Sequence, residues 1–195
     1  MSNMPITKTL ETERLILRPF GMDDAEAMFQ NWISNPEVLR YMAFEACGTL
    51  EAARSHIKQW IGYFNDLEEG SSWCIFAIEL KSCKSIIGTI DFHEDNNKVR
   101  AAEIGYMLGS KWWGNGYATE ALRVLIEFCF KEVGLKRLWA NHDSRNPASG
   151  RVLSKAGMKY EGTFVKSMIR KGELADSVYY AILAEDFFKL SGKGI

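Results

Sequence analysis

Three runs between Ser72 and Leu108 alternate apolar with polar or small residues, and the repeat then changes at Gly116. "SWCIFAIEL", "SIIGTIDFHE" and "AAEIGYML" read as strands, because successive strand side chains point to opposite faces. The polar breaks between them, Ser82 to Lys84 and "HEDNNKVR", are too short for crossovers, which predicts an antiparallel meander. After Gly116, Ala118, Ala121, Leu122, Leu125, Ile126 and Cys129 recur at three and four, which predicts a helix to about Val133.

The flanks extend this pattern. Leu15 to Arg18 is a short strand stopped by Pro19. "GMDDAEAMFQNWI" places Ala25, Met28, Phe29 and Trp32 at helical spacing, and Pro36 in "NPEVLRYM" suits the first position of a further helix. A longer helix over about Leu50 to Leu67 carries Ala53, Ile57, Trp60, Ile61 and Phe64 on one stripe and ends at Glu68, Glu69 and Gly70. Downstream, "LKRLWANHD" reads as a strand and "NPASGRVLSKAG" as a short helix capped by Gly157. Strands over about Lys159 to Ile169 and Ser177 to Leu183 follow, joined by "RKGELAD". The expected fold class is mixed α/β (α+β), in one domain over residues 1–195.

With 195 residues, 47% of them apolar, the chain has enough material for one core, and a net charge of −1 offers no global basic excess for nucleic acid. Cys47, Cys74, Cys83 and Cys129 are scattered without C-x-x-C or companion His spacing, so neither a disulfide framework nor a metal site is expected. Cys74 and Cys129 lie in apolar runs and read as core thiols of a reducing compartment. The N-terminal segment has no apolar run suited to a signal or membrane span, and the expected location is cytoplasmic.

Chemistry concentrates in "KWWGNGYATEAL", Lys111 to Leu122. Gly114 and Gly116 stand between a strand and an amphipathic helix, where backbone N–H groups can converge on an anion with no Cβ in the way. The same glycines also suit a tight turn, with Asn115-Gly116 supplying positive φ. Thr119 fills the third glycine slot of a dinucleotide fingerprint, and no Walker-type lysine follows.

"GYMLGSKWWGNGYATEAL" followed by "NHDSRNPASGRVLSKAGMKYEG", with the opening "LETERLILRPF", resembles the GNAT acyltransferases of the RimJ/RimL-like branch, from about Leu10 to Phe188. The resemblance implies a mostly antiparallel central sheet, splayed at the cofactor site and flanked by helices. It implies acetyl-CoA as co-substrate, with its pyrophosphate on the loop at Lys111, Trp112, Trp113, Gly114, Asn115, Gly116, Tyr117, Ala118 and Thr119. Met107, Leu108 and Gly109 would lie beside the pantetheine arm, with Asn146 and Ser149 near it and Leu108 N–H as an oxyanion donor. Lys111 stands where the family has Gln or Arg, which exchanges a planar donor for a point charge. Asn146 before Pro147 is also a good helix cap, and the two tryptophans also serve as apolar anchors of the loop.

Acetyl transfer to an amine needs a neutral nitrogen, an acceptor for its proton and donors for the developing oxyanion and thiolate. The family's tyrosine acid falls at Leu153, which cannot donate; Ser149, one turn earlier, matches a hydroxyl of RimL-like members, which the resemblance makes the candidate for a hydrogen bond to sulfur, and it also reads as a helix serine bonding back to the chain. Glu103 is the candidate base; it also reads as an ordinary strand glutamate. His93 and His142 read as structural, and Trp32, Tyr41, Trp60 and Phe64 line or support the acceptor side. The expected activity is acetylation of a primary amine, either a protein N-terminal α-amine or a small molecule, by a monomer or homodimer without nucleic-acid or membrane partners. The alternative is a non-catalytic acyl-CoA-binding sensor or interaction domain.

Overall fold

The computed structural model describes residues 8–65, 73–94 and 99–191. Its sheet is built from β1 (Leu10–Glu11), β2 (Leu15–Arg18), β3 (Trp73–Leu80), β4 (Ser85–Glu94), β5 (Ala101–Leu108), β6 (Arg137–Asp143), β7 (Lys159–Arg170) and β8 (Glu173–Leu183). The spatial order is β1-β2-β3-β4-β5-β6-β8-β7. Every neighbouring pair is antiparallel except β5 and β6, whose parallel pairing covers only Ala101↔Arg137, Ala102↔Leu138 and Glu103↔Trp139. Beyond Glu103 the two strands separate, while β5 stays in register with β4 to Leu108 and β6 stays with β8 to Asp143. The splay therefore arises without a slip in the β4–β5 register.

Helices cover both faces. On one, α3 (Tyr117–Phe128), α4 (Pro147–Lys155) and α5 (Ala184–Ser191) enclose a core that includes Phe76, Ile90, Phe92, Ile104, Leu122, Leu125 and Leu153. On the other, α1 (Ala25–Met28), the π-helical turn Phe29–Ile33 and α2 (Leu50–Asn65) pack Met28, Trp32, Ala53 and Ile57 against Ile75, Ala77 and Ile86. Alternate residues of β3 feed the two cores, so Cys74 to Ile78 is an unbroken buried run. Removing that much apolar surface from water supplies the main drive for the fold, about 25 cal/mol per Å².

The elements differ from the sequence reading at identifiable places. Residues 36–41 form turns rather than a helix. The Asn35 side-chain oxygen takes the Glu37 N–H at 2.9 Å, and of the bonds that follow only Leu39 N–H to Asn35 O spans a helical turn. The "RKGELAD" connection shrinks to Lys171-Gly172, both at positive φ, with Glu173 already in β8. α3 gives way to a π-helical turn at Cys129–Val133, closed by Gly134 at φ 78°. β1 and α5 went unread, being too short for a clear repeat. The expected end of α2 at residues 68–70 lies outside the described residues, as do residues 95–98 of the β4–β5 turn and the Phe64 side chain. Among the described residues no helix is long and apolar enough to cross a membrane.

Candidate active site

The gap left by the parting of β5 from β6 opens into a cavity of about 1180 Å³. Its walls come from β5 (Glu103 to Leu108), the loop and first turns of α3, the end of β6, the start of α4 and the segment around Tyr41 and Phe44.

Just past β5, Gly109 N–H donates to Ile87 O on β4 at 2.9 Å. N–H groups of successive strand residues point to opposite edges, so Leu108 N–H faces the gap. Leu108 O accepts the Trp113 indole N–H at 2.6 Å, and the Trp112 ring lies over Gly109, 2.7 Å from where a Cβ would stand. Both tryptophans therefore fasten the loop to the strand end.

The loop turns at Gly114 and Gly116, with φ of 79° and 82°, where an L side chain is strained. Gly116 is the N-cap of α3 and offers no side-chain acceptor, so the first-turn N–H groups from Tyr117 onward keep their donors for the cavity. A Cβ on Gly114 would meet nothing within 4 Å, which leaves the approach open. Asn115 shapes the loop from outside, donating to the carbonyls of Trp112 and Trp113. Arg14 holds the same loop: Nη1 donates to Asn115 O at 3.1 Å, Nε donates to Glu120 at 2.7 Å, and the guanidinium lies 4.5 Å from the Tyr117 ring centroid. Burial pulls the Glu120 carboxyl up, but hydrogen bonds from Thr12 and Arg14 outweigh it and hold it below the usual carboxylate range.

Met107, Leu108, Trp112, Trp113, Gly114, Gly116, Tyr117, Ala118, Thr119, Asn146, Ser149 and Glu103 all line the cavity. Gly109, Lys111 and Asn115 do not; Lys111 is exposed, so the departure from the family motif falls outside the wall. Asn146 caps α4, its oxygen accepting Ser149 N–H at 3.4 Å. Leu153 is fully buried and faces the core instead. His142 is buried against Tyr180, its Nδ1 at 2.8 Å from Asp143 O, and His93 is exposed. Trp32 is wholly core and Trp60 packs on Phe20, whereas Tyr41 reaches the cavity.

Several residues on the wall were not singled out from sequence. Tyr106 OH lies 2.7 Å from Ser149 Oγ, and burial pushes its phenol up to about 12 despite the Ser149 hydrogen bond. Asn141 Nδ2 donates to Glu103 Oε1 at 2.8 Å. Arg123 on α3 and Arg151 and Lys155 on α4 form a basic rim, whose four-residue spacing on α4 was readable in advance. Glu103 and Tyr106 stand three residues apart on β5, so their side chains leave on opposite faces. Among the described residues no group of three or more His, Cys, Asp or Glu is placed to hold a metal.

Residues 14–159 match the model of the acetyltransferase (GNAT) domain. The chain is 38% identical to the uncharacterized N-acetyltransferase YoaA of Bacillus subtilis, over 89% of this chain and 96% of that one. It is 28% identical to the [ribosomal protein uS5]-alanine N-acetyltransferase of Escherichia coli, covering 95% of each. The crystal structure of a GNAT-family acetyltransferase from Bacillus anthracis superposes with a TM-score of 0.80 at 31% identity, over 91% of this chain and 99% of that one. The family's co-substrate is acetyl-CoA, and the uncapped α3 mouth, the open space at Gly114 and the basic rim suit its phosphates. The chain belongs to the GNAT acetyltransferase family, in its RimJ/RimL-like branch, and is an acetyl-CoA-dependent N-acetyltransferase.

Proposed function

We propose that the acceptor is the α-amine of a peptide or protein N-terminus, acetylated by direct attack with both substrates in the one cavity. The observation that carries this reading is the division of labour across β5. Glu103, held by Asn141, faces the α2 side, while Tyr106 and Ser149 meet on the α4 side. An amine entering past Tyr41, Met42 and Phe44 reaches the strand edge with a carboxylate on its own side.

Acetyl-CoA supplies the acetyl group as a thioester; its sulfur leaves as a thiolate and takes a proton from solvent, to which Glu103 later releases the proton of the amine. Backbone N–H groups of the Gly114–Thr119 turn hold its pyrophosphate, while Arg123, Arg151 and Lys155 face its charged outer end. Leu108 N–H is the donor for the charge that develops on the carbonyl oxygen. Glu103 takes the proton from the amine nitrogen, directly or through a water. Tyr106 and Ser149 stabilise the sulfur by hydrogen bonding. Full proton transfer from a phenol near 12 to a thiolate of ordinary pKa, about 8.5, is uphill.

The α-amine is favoured by its own acidity. With a pKa near 7.8, about one in ten is neutral at pH 7, against fewer than about one lysine amine in a thousand. The cavity wall offers Glu103 and Glu37 as carboxylates and an apolar strip at Val38, Met42 and Phe44 for a small first side chain. The E. coli relative named for acetylating an alanine of a ribosomal protein points the same way. Initial rates on matched peptides with a free N-terminus, on N-blocked lysine peptides and on small polyamines test the proposal. Turnover is expected on free N-termini; turnover confined to small amines overturns it.

A further inference from the structure

We infer that Asp91 is a positioning residue for Glu103: the two carboxyl groups are diagonal neighbours coupled through their charges across the β4–β5 ladder, and the charge state of Asp91 sets how strongly Glu103 draws a proton. This rests on the reading of Glu103 as the base.

The geometry is specific. Asp91 is paired in register with Gly105, and a Cβ at that glycine would stand 2.7 Å from Asp91 Oδ1 and 3.3 Å from Oδ2. The carboxylate therefore lies across β5 in the space that any other residue at 105 would fill. Glu103 is two residues back on the same face, the diagonal neighbour of Asp91, at a Cβ spacing that long side chains bridge. Asn141 fixes the far side of the pair. Its oxygen accepts from Ser177 Oγ at 3.3 Å, which turns its amide N–H toward Glu103 Oε1 and favours charge on that carboxyl. The Trp73 indole donates to Asp91. Among the described residues no salt bridge reaches Asp91, although Arg18, Arg100 and Arg145 each engage a buried or half-buried carboxylate elsewhere.

A charge on either carboxyl disfavours a charge on the other. Burial, then the charge of Glu103, pushes Asp91 up to about 7, offset in part by Trp73. His93 is exposed and pairs across from Glu103, Cys74 on β3 is a buried thiol raised by burial and by Asp91, and His56 on α2 lies between the rings of Phe44 and Trp60. Below neutrality Asp91 is protonated and neutral; above it the Asp91 charge makes Glu103 the stronger acceptor for the proton leaving the amine nitrogen. Release of that proton to solvent restores the pair.

Two measurements test the pair. In 13C-carboxyl titrations of the whole protein, Asp91 is expected to titrate near 7 and to fall by at least one unit in Glu103→Gln; an unchanged midpoint overturns the inference. In kinetics, the ratio of wild-type to Asp91→Asn kcat is expected to grow about tenfold from pH 6 to pH 8, and a constant ratio overturns it. A Glu103→Gln variant with wild-type rates sinks the base reading instead, whatever the titration of Asp91 shows.

Discussion

The hydroxyl of Tyr106 and Oγ of Ser149, 2.7 Å apart, join the middle of β5 to the first turn of α4 across the opening between β5 and β6. Tyr106 also donates to Ser149 O at 3.1 Å, so one phenol serves both atoms of the serine. Removing either hydroxyl takes a donor from the sulfur side of the cavity. Tyr106→Phe is expected to lower kcat about tenfold, the size of one hydrogen bond to a developing charge, with KM for acetyl-CoA little changed. Because the two groups act as a unit, Tyr106→Phe with Ser149→Ala should cost far less than the product of the single effects. Steady-state kinetics on the three variants decide it.

Gly114 and Gly116 share a positive φ but differ in surroundings, so their alanine variants should separate strain from crowding. Gly114→Ala meets open space and should cost only the left-handed backbone penalty, about 1–2 kcal/mol of stability. Gly116→Ala has Arg14 Nη2 at 3.6 Å from its new methyl and pays a similar penalty at the helix mouth itself. Both should lose most of the rise in melting temperature that acetyl-CoA gives the parent. Scanning with and without acetyl-CoA shows whether the ligand-dependent rise falls further than the basal midpoint.

Acid sensitivity should report on the Arg14–Glu120 contact. A carboxyl lowered in the folded state contributes stability that is present above its unfolded pKa and is lost as pH falls through the folded one. Arg14→Met removes the ion pair and the side-chain hydrogen bond that lower Glu120, and leaves the backbone N–H bond at 3.0 Å in place. Its melting temperature should fall less steeply than the parent's below about pH 5, measured from pH 7 to pH 3. Parallel curves would exclude this contact as a source of acid lability.

Thiol labelling gives a further prediction. Cys47, Cys74 and Cys129 are buried, and burial raises all three thiols, whereas Cys83 is exposed in the β3–β4 turn. A thiolate reagent at pH 8 should modify one cysteine per native chain rapidly and the other three only on unfolding. Cys83→Ser should abolish the rapid phase.

Much of this arrangement could be read from the chain in advance, where the signal was local. The positive φ of Gly114 and Gly116, the cap at Gly157 and the change of repeat after Gly116 each depend on a few neighbouring residues. What escaped was set by distance along the chain. Tyr106 meets Ser149 from 43 residues away, and Arg14 meets Glu120 from 106. Nothing beside Tyr106 in the sequence distinguishes it from a strand aromatic. Asp91 likewise looked like the polar half of an alternating strand, because its partner glycine is supplied by the next strand. The misread helix at Pro36 turned on one side chain, Asn35, taking the N–H that a helix start would have left free.

The three-pair contact between β5 and β6 has a mechanical consequence. All the long ladders lie to one side or the other of it: β1 to β5 on the left, β6, β8 and β7 on the right. Gly105, Tyr106 and Leu108 belong to the left panel, and Asn141, Asn146 and Ser149 to the right one or to the helix it carries. The sheet is thus two stiff leaves on a short hinge at Ala101–Glu103, with the chemistry at the crease. A small change of dihedral angle between the leaves would alter the width of the slot by more than it disturbs any antiparallel pairing. One continuous core under both leaves, from Phe76 and Ile90 to Leu138 and Ile182, fixes the width of that slot where the backbone pairing does not.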